Sequence, residues 1–237
     1  MIRPASSTGA TSGADSVIAV RRLLILPLAL LAAVLVPVVP AGADTACTVQ
    51  LPAKIAAAAP VTWVYPTFTG CDTVTHARWY LFDPSMTKRG GAIGIENGKS
   101  TGPWLFRDTY PTGRYTARAI PPATPAGTTQ NSTSAVVKFA TRTTIKGHRQ
   151  DSLRVPLTGT VSRYVATVNG FRRWPHRQIA IDYRDCPTCT WHFLSFDKTD
   201  ANGVYSLAAV SQEVRYYRAR ISDTATFFGG TSASVNF

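Results

Sequence analysis

The feature that most constrains the fold of this 237-residue chain is an internal repeat. Residues 133–139 read TSAVVKF and residues 231–237 read TSASVNF, so the two stretches begin 98 residues apart. Upstream of them, residues 114–120 read RYTARAI and residues 215–221 read RYYRARI. A spacing of about 100 residues is the length of one small β-sandwich domain. The repeat therefore predicts two tandem copies of one fold, joined near residues 141–146.

Composition predicts that both copies are all-β. Charged residues make up 16% of the chain, whereas β-branched residues, tyrosine, glycine and proline are frequent, a mixture that favours strands and turns over helices. Polar and apolar side chains alternate along residues 114–120, as a half-buried strand requires. We therefore predict two tandem Ig-like β-sandwich domains, over residues 44–140 and 141–237.

The first 43 residues predict a signal peptide. Arg21 and Arg22 precede an apolar run over residues 23–39, and the small residues Ala-Gly-Ala follow at 41–43. This is the pattern of a signal-peptidase site, with cleavage before Asp44. Residues 23–39 as an uncleaved membrane anchor are the alternative, although prolines interrupt the run and it is short for a membrane span. We predict a secreted, extracellular protein.

The charge of the mature chain favours anionic partners. Removing the first 43 residues takes three basic and one acidic residue from a formal net charge of +12, which leaves +10. Such a surplus favours loose association with anionic polymers or membrane surfaces. We expect an extracellular protein, a cell-wall polymer or another polyanion as partner, and no nucleic acid. Membrane contact is expected only through an uncleaved signal or through weak attraction by surface charge.

The four cysteines, Cys47, Cys71, Cys186 and Cys189, lie beyond the predicted cleavage site. In an oxidising compartment an even number predicts two disulfides, whose pairing the sequence leaves open. Proximity favours Cys47–Cys71 and Cys186–Cys189. The C-x-x-C pair lies between two predicted strands, whereas a redox site normally begins a helix. A zinc site would need further ligands, such as His192, so a disulfide is favoured.

Residues 186–191 and 199–205 carry a resemblance to a known family. They read CPTCTW and TDANGVY. In this pattern the second half resembles the secreted Ig-like domains common in actinobacteria, where a strand that ends in paired cysteines is followed by an aromatic strand and a Thr-Asp-x-x-Gly-x-Tyr turn. The resemblance covers most of residues 150–237 and, more faintly, residues 46–140. It implies a fold and a turn, with no reaction attached.

Residues 171–177, which read FRRWPHR, are the first candidate for a ligand site, joined by Arg163, Tyr183 and Arg184. Interleaved cations and aromatic rings can hold polyanions or sugars, because arginine pairs with phosphates while ring faces stack. The alternative is structural, with Trp174 as the core tryptophan of the sandwich and the arginines on its solvent face. The candidate ligand-binding residues are Arg172, Arg173, Trp174, His176, Arg177 and Arg184.

No motif supports catalysis, a cofactor or a metal. His76, His148, His176 and His192 are scattered and fall in no HExxH or G-x-S-x-G pattern. Residues 197–203 hint at a calcium loop, but a lysine stands where a ligand is expected, so a turn is favoured. We predict a non-catalytic binding or structural module. The alternative is an accessory module that binds anionic wall polymer or membrane through the basic and aromatic face of the second domain, and an extracellular enzyme is third.

The sequence also predicts which segments are buried and which are exposed. Trp79, Trp104 and Trp191 lie on predicted strands and are expected to fill cores. Residues 121–134, rich in proline, threonine, glycine and serine, predict a long exposed hairpin loop. The triplet at Asn131 is a formal glycosylation sequon, which arises often by chance.

Overall fold

A computed structural model describes residues 46–237 of the chain. The predicted signal peptide, the alternative anchor over residues 23–39 and the cleavage site before Asp44 lie outside the described residues. Within the described part, no helix is long and apolar enough to cross a membrane.

Residues 46–139 form three sheets. Their strands are β1 (Ala46–Gln50), β2 (Lys54–Ala57), β3 (Val61–Val64), β4 (Thr67–Thr69), β5 (His76–Phe82), β6 (Ile93–Glu96), β7 (Lys99–Ser100), β8 (Trp104–Arg107), β9 (Gly113–Thr124), β10 (Thr129–Gln130) and β11 (Thr133–Phe139). The largest sheet has the order β2-β11-β9-β5-β6-β7, and the two smaller sheets are β10-β1-β4 and β3-β8.

The first half has one core to which the sheets contribute together. Trp79 and Leu81 of β5 and Tyr115 of β9 are fully buried, and Trp104 and Phe106 of β8 meet them from a smaller sheet. The Trp104 and Tyr115 ring centroids lie 5.1 Å apart. Alternate residues of β1, β5 and β8 are buried, as expected of strands with one face toward the core.

Tyr115 also makes a bond typical of Ig-like sandwiches. Its hydroxyl donates a hydrogen bond of 2.7 Å to the carbonyl oxygen of Pro111, four residues upstream. A tyrosine that bonds back to the backbone before its own strand is the tyrosine corner of such domains. Burial raises the pKa of the Tyr115 phenol, so the hydroxyl stays protonated and remains a donor.

Residues 141–237 form the second sandwich. Its elements are β12 (Thr141–Thr143), β13 (Lys146–Gly147), β14 (Arg154–Val165), a 3-10 helix (Ala166–Val168), β15 (Gly170–Arg173), β16 (Gln178–Arg184), β17 (His192–Lys198), β18 (Val204–Val210), β19 (Tyr216–Ile221), β20 (Gly230–Thr231) and β21 (Val235–Asn236). One sheet has the order β12-β14-β13, with β15 and β18 also paired to β14, and the other has the order β17-β16-β19-β20, with β21 also paired to β19.

The second core lies between these two sheets. Leu157 of β14 and Tyr205 of β18 come from one sheet, and Ile181 of β16 and Tyr217 of β19 come from the other. Each of these side chains is at least 99% buried. The prediction of an all-β protein with tandem Ig-like sandwiches is confirmed. The domain boundary between residues 140 and 141 stays a prediction.

The repeated segments form corresponding strands in both halves. In the upstream strands, β9 and β19, the sequence match is one residue out of step with the structural correspondence. In both halves the last strand pairs antiparallel with the upstream one, β11 with β9 and β21 with β19. The buried residues are Tyr115 and Ala117 in β9, and Tyr217 and Ala219 in β19. The sequence match instead aligns Tyr115 with Tyr216. A slip of one residue moves every side chain to the opposite face of a sheet, so the matching letters are not structurally equivalent.

Both predicted disulfides are present. Cys47 bonds to Cys71 and Cys186 bonds to Cys189, and no cysteine of the described part is free. The first pair is buried beside the first core, whereas the second closes the tip between β16 and β17. The pairing favoured by proximity is confirmed.

The predicted loop over residues 121–134 is partly wrong. β9 extends to Thr124, and β10 pairs with β1 within the same segment. The side-chain amide of Asn131 accepts a bond from the Val49 N–H (2.8 Å) and donates one to the Val49 carbonyl (2.9 Å), while the main-chain carbonyl of Asn131 accepts from the Trp79 indole (2.8 Å). Asn131 therefore ties this segment to β1 and β5.

Candidate functional site

The structure separates the predicted ligand-binding residues into three places. Arg172 and Arg173 lie on β15, Trp174 to Arg177 form the turn after it, and Arg184 ends β16. A strand advances about 3.3 Å per residue, so the seven residues from Arg177 to Arg184 separate them by roughly 20 Å. The six residues therefore do not form one continuous site.

Arg173 of β15 joins a row across three strands. Ser162 of β14 is paired with Arg142 of β12 on one side and with Arg173 on the other. Residues directly opposite each other share a face of the sheet, and neighbouring strands lie about 4.8 Å apart. The side chains of Arg142 and Arg173 therefore leave the sheet on the same face as Ser162, one on each side of it.

Phe171 completes an open recess at this row. The recess has a volume of about 370 Å³ and is lined by Ser162, Phe171, Arg172 and Arg173. The guanidinium carbon of Arg142 lies 3.7 Å from the centroid of the Phe171 ring, a cation–π contact that fixes the side chain. We call Arg142, Ser162, Phe171, Arg172 and Arg173 together the Ser162 pocket.

The three arginines of the Ser162 pocket make no ion pair within residues 46–237. Other arginines of the described chain are bound to carboxylates at 2.5–2.9 Å, namely Arg78, Arg89, Arg215, Arg218 and Arg220. A guanidinium presents a planar fork of donors that matches a phosphate or carboxylate. The donors of the Ser162 pocket are thus available to an anion from outside.

Trp174 is half-buried and packs against the second core. Its ring centroid lies 4.9 Å from that of Phe227. The guanidinium carbons of Arg163 and Arg177 lie 5.3 and 4.8 Å from the indole. Arg177 also donates a 2.7 Å bond to the carbonyl of Ser222. These arginines stack and bond within the fold, which favours a packing role.

His176 is a turn residue. Its φ is 56°, and its backbone N–H donates to the carbonyl of Thr199 at 3.0 Å while the side chain is exposed. His148 and His192 are also exposed, and His76 is half-buried on β5 of the other sandwich. The four histidines therefore lie on separate elements and do not converge.

Arg184 belongs to a second surface on the outer face of β16 and β19. Its guanidinium carbon lies 4.5 Å from the Trp191 ring, which is half-buried and is contacted from Arg218 at 4.2 Å. Asp182 accepts bonds from both Arg218 and Arg220, each at 2.9 Å. Burial opposes ionisation of Asp182, but these bonds outweigh it and hold the pKa of the carboxyl below its ordinary value. Arg218 and Arg220 thus share one carboxylate partner within the fold.

The segment that hinted at a calcium loop is a turn. The Asp200 carboxylate accepts hydrogen bonds from the N–H groups of Asn202 and Val204, both at 2.8 Å. These bonds use the carboxylate to cap the turn. Across residues 46–237, no three His, Cys, Asp or Glu side chains gather where they could hold a metal ion.

Sequence reasoning missed Arg142 and Ser162. Arg142 is 30 residues before Arg172 and Ser162 is 10 before it, so no local pattern joins them. Only the pairing of β12 and β15 with β14 brings them together.

Comparison with known proteins leaves the family open. No protein-family model matches the chain, and no curated protein matches its sequence. Among solved structures, the D0-D1 domain of intimin is 17% identical with a TM-score of 0.29, and covers 81% of this chain and 96% of its own. A two-domain fibronectin type III segment of chicken tenascin is 9% identical with a TM-score of 0.33, and covers 79% of this chain and 95% of its own.

Proposed function

We propose that this chain is a secreted, non-catalytic binding module that holds an extracellular anionic polymer at the Ser162 pocket. One observation carries the proposal: Arg142 and Arg173 flank Ser162 beside the Phe171 ring, Arg172 lines the same recess, and none of these arginines has a carboxylate partner in the described chain. Charge-assisted bonds from guanidinium to phosphate or carboxylate are roughly twice as strong as neutral ones. The formal surplus of positive charge draws such polymers toward the protein.

The form of the pocket favours a polymer over a membrane surface. A protein that lies on a membrane inserts exposed apolar side chains below the headgroups. Phe171 is half-buried and covered by the Arg142 guanidinium, so it is not free to insert. A recess between strands fits the side of an extended chain that carries phosphate or carboxylate groups.

Two further observations support the proposed location and the absence of catalysis. Paired disulfides are typical of oxidising extracellular compartments, in keeping with the predicted signal peptide. The four histidines lie on separate elements of the described chain, so they form no acid–base pair with one another. Membership of the actinobacterial secreted Ig-like family is part of the same proposal.

Binding of the full chain to immobilised poly(glycerol phosphate) tests the function. Arg172→Glu with Arg173→Glu should weaken binding by at least about 100-fold, because each lost charge-assisted contact is worth roughly 1.5–3 kcal/mol. The matched control is Arg114→Glu with Arg118→Glu, which changes net charge equally on exposed positions of the first sandwich. We expect the control to weaken binding less than about threefold through the overall field alone.

Two results would overturn the proposal. Equal losses in the two double variants would mean that net charge binds the polymer without a site. Binding to vesicles of phosphatidylglycerol and phosphatidylcholine that is tighter than binding to the polymer, and sensitive to the pocket substitutions, would assign the site to a membrane surface.

A further inference from the structure

Two aromatic side chains of the first sandwich stand out in solvent. Trp63 is 57% exposed and Tyr65 is 69% exposed, although their strand neighbour Val64 is buried in the core. Residues two apart on a strand point to the same side, about 6.6 Å apart along the strand. Rings of this size are usually covered in a soluble domain unless they serve recognition. Trp63 on β3 and Tyr65, which directly follows the last residue of β3, form an uncovered aromatic platform.

The strand paired with β3 extends this platform. Leu105 of β8 is directly opposite Trp63, and Arg107 is opposite Val61. Leu105 is half-buried, while the next residue on either side, Trp104 or Phe106, points into the core. The outer face is therefore flat, mostly apolar and short, since four-residue strands span about 13 Å.

A recess borders the platform at each end. One has a volume of about 280 Å³ and includes Tyr65 with the polar side chains Gln50 and Thr67. The other has a volume of about 300 Å³ and includes Leu105 and Arg107. Gln50, Thr67 and Arg107 place hydrogen-bonding groups at the two ends of an aromatic centre, and no acidic residue lines either recess.

We propose that Trp63 and Tyr65 form a binding site for an extended, uncharged β-1,4-linked glycan. Pyranose rings in such a chain present flat C–H faces that stack on aromatic rings and hydroxyls at their edges that need donors and acceptors. Both features match an aromatic centre with polar ends. The short face is too small for the roughly 800 Å² per partner that a stable protein interface buries. The site differs in chemistry and position from the Ser162 pocket.

Calorimetric titration of the full chain with cellohexaose and chitohexaose tests this site. We expect one of these hexasaccharides to bind, and maltohexaose, whose α-linked chain curves, to bind at least tenfold more weakly. Trp63→Ala and Tyr65→Ala should each weaken binding at least about tenfold, and Trp63→Phe should weaken it less because a ring remains. Raising NaCl from 50 to 500 mM should change affinity less than twofold, because no charge pairs with the ligand.

Controls keep this test separate from the polymer proposal. The double variant Arg172→Glu with Arg173→Glu should bind the hexasaccharide as the unchanged chain does. Trp63 is exposed, so Trp63→Ala should unfold at the same urea midpoint, which removes misfolding as an explanation. No binding of either hexasaccharide, or equal binding by Trp63→Ala, would overturn the inference. A concentration-dependent dimer that Trp63→Ala abolishes in sedimentation velocity would overturn it in favour of a second copy of the chain.

Discussion

The two sandwiches place their tryptophans differently. In the first, Trp79 and Trp104 are at least 98% buried, and each indole N–H donates to a backbone carbonyl. In the second, Trp174 and Trp191 are half-buried and lie beneath arginine side chains. A buried indole contributes to stability through its large apolar area, whereas an indole under guanidinium groups orders a cationic surface.

The cations differ as well. Residues 44–140 contain five arginines and four lysines, whereas residues 141–237 contain eleven arginines and two lysines. Arginine stacks on rings and binds planar anions through a rigid fork, and lysine does neither as well. The same fold therefore uses tryptophan in two ways: Trp79 and Trp104 support the core of the first copy, whereas Trp174 and Trp191 lie against arginine side chains in the second. Trp63 and Tyr65 are the exception in the first copy, which is why they suggest a ligand.

Removing a tryptophan from each half gives the largest difference in stability. Trp79→Ala should lower the free energy of unfolding by about 3–5 kcal/mol, because it opens a cavity in a fully buried site. Trp191→Ala should cost about 1 kcal/mol, since only half of its area is lost from contact. Urea unfolding followed by tyrosine fluorescence measures both. Equal losses in the free energy of unfolding would contradict the proposed difference between the two tryptophans.

Removing each disulfide should show the next largest effect. The Cys47–Cys71 bond joins residues 24 apart, and the Cys186–Cys189 bond joins residues 3 apart. A longer closed loop restricts the unfolded chain more, so the first pair should contribute about 3 kcal/mol and the second about 2 kcal/mol. Paired Cys→Ala variants in urea unfolding provide the measurement, and a reversed order would contradict the loop-length argument.

Acidification should lower the stability of the second sandwich through Asp182, the carboxylate that holds Arg218 and Arg220 on its outer face. The pKa of Asp182 is lower in the folded chain than its ordinary value of 3.8, so its ionised form stabilises the fold. This contribution is fully present above pH ~4 and is lost as pH falls through the lower, folded pKa. Asp182→Asn should lower stability by about 1–2 kcal/mol at neutral pH.

The same variant has a distinct pH signature. Below pH ~4, the free energy of unfolding of Asp182→Asn should fall less steeply with decreasing pH than that of the unchanged chain, because the substituted side chain does not titrate there. Urea midpoints measured at neutral pH and at two acidic pH values give the two slopes. A variant that follows the unchanged chain in parallel at every pH would show that Asp182 does not order Arg218 and Arg220.

Arg184→Ala should have the smallest effect on polymer binding. Arg184 lies roughly 20 Å along β16 from Arg177 and outside the Ser162 pocket. We expect less than a twofold change in affinity for poly(glycerol phosphate) on the same immobilised surface. A loss comparable with that of Arg172→Glu with Arg173→Glu would instead place the polymer site on the outer face of β16 and β19, around Trp191.

Local patterns in the sequence were sufficient for part of this structure. Alternation predicts that Tyr115 and Ala117 are buried, and close spacing predicts that Cys186 pairs with Cys189; both are confirmed. The repeat predicts a second copy, but two adjacent tyrosines in β19 hide its register. Tyr216 and Tyr217 place the same residue type on opposite faces of β19, so the sequence does not show which one is buried and only packing decides it.

Long-range pairing sets the rest. Asn131 falls in a segment whose composition is typical of a loop, yet its amide bonds to Val49, 82 residues away. Arg142 and Arg173 come together because both strands pair with β14 at Ser162. Neither arrangement produces a periodic pattern in the sequence. The basic and aromatic segment over residues 171–177 could therefore be recognised from the sequence, whereas the Ser162 pocket could not.

Observing the arginine side chains one by one tests directly whether the polymer binds at the Ser162 pocket. Nuclear magnetic resonance can record the Nε–Hε signals of the full chain during titration with poly(glycerol phosphate). The account predicts that the signals of Arg142, Arg172 and Arg173 shift first and most, while those of Arg218 and Arg220, held by Asp182, stay in place. Equal shifts at all exposed arginines, or the largest shift at Arg184, would contradict it.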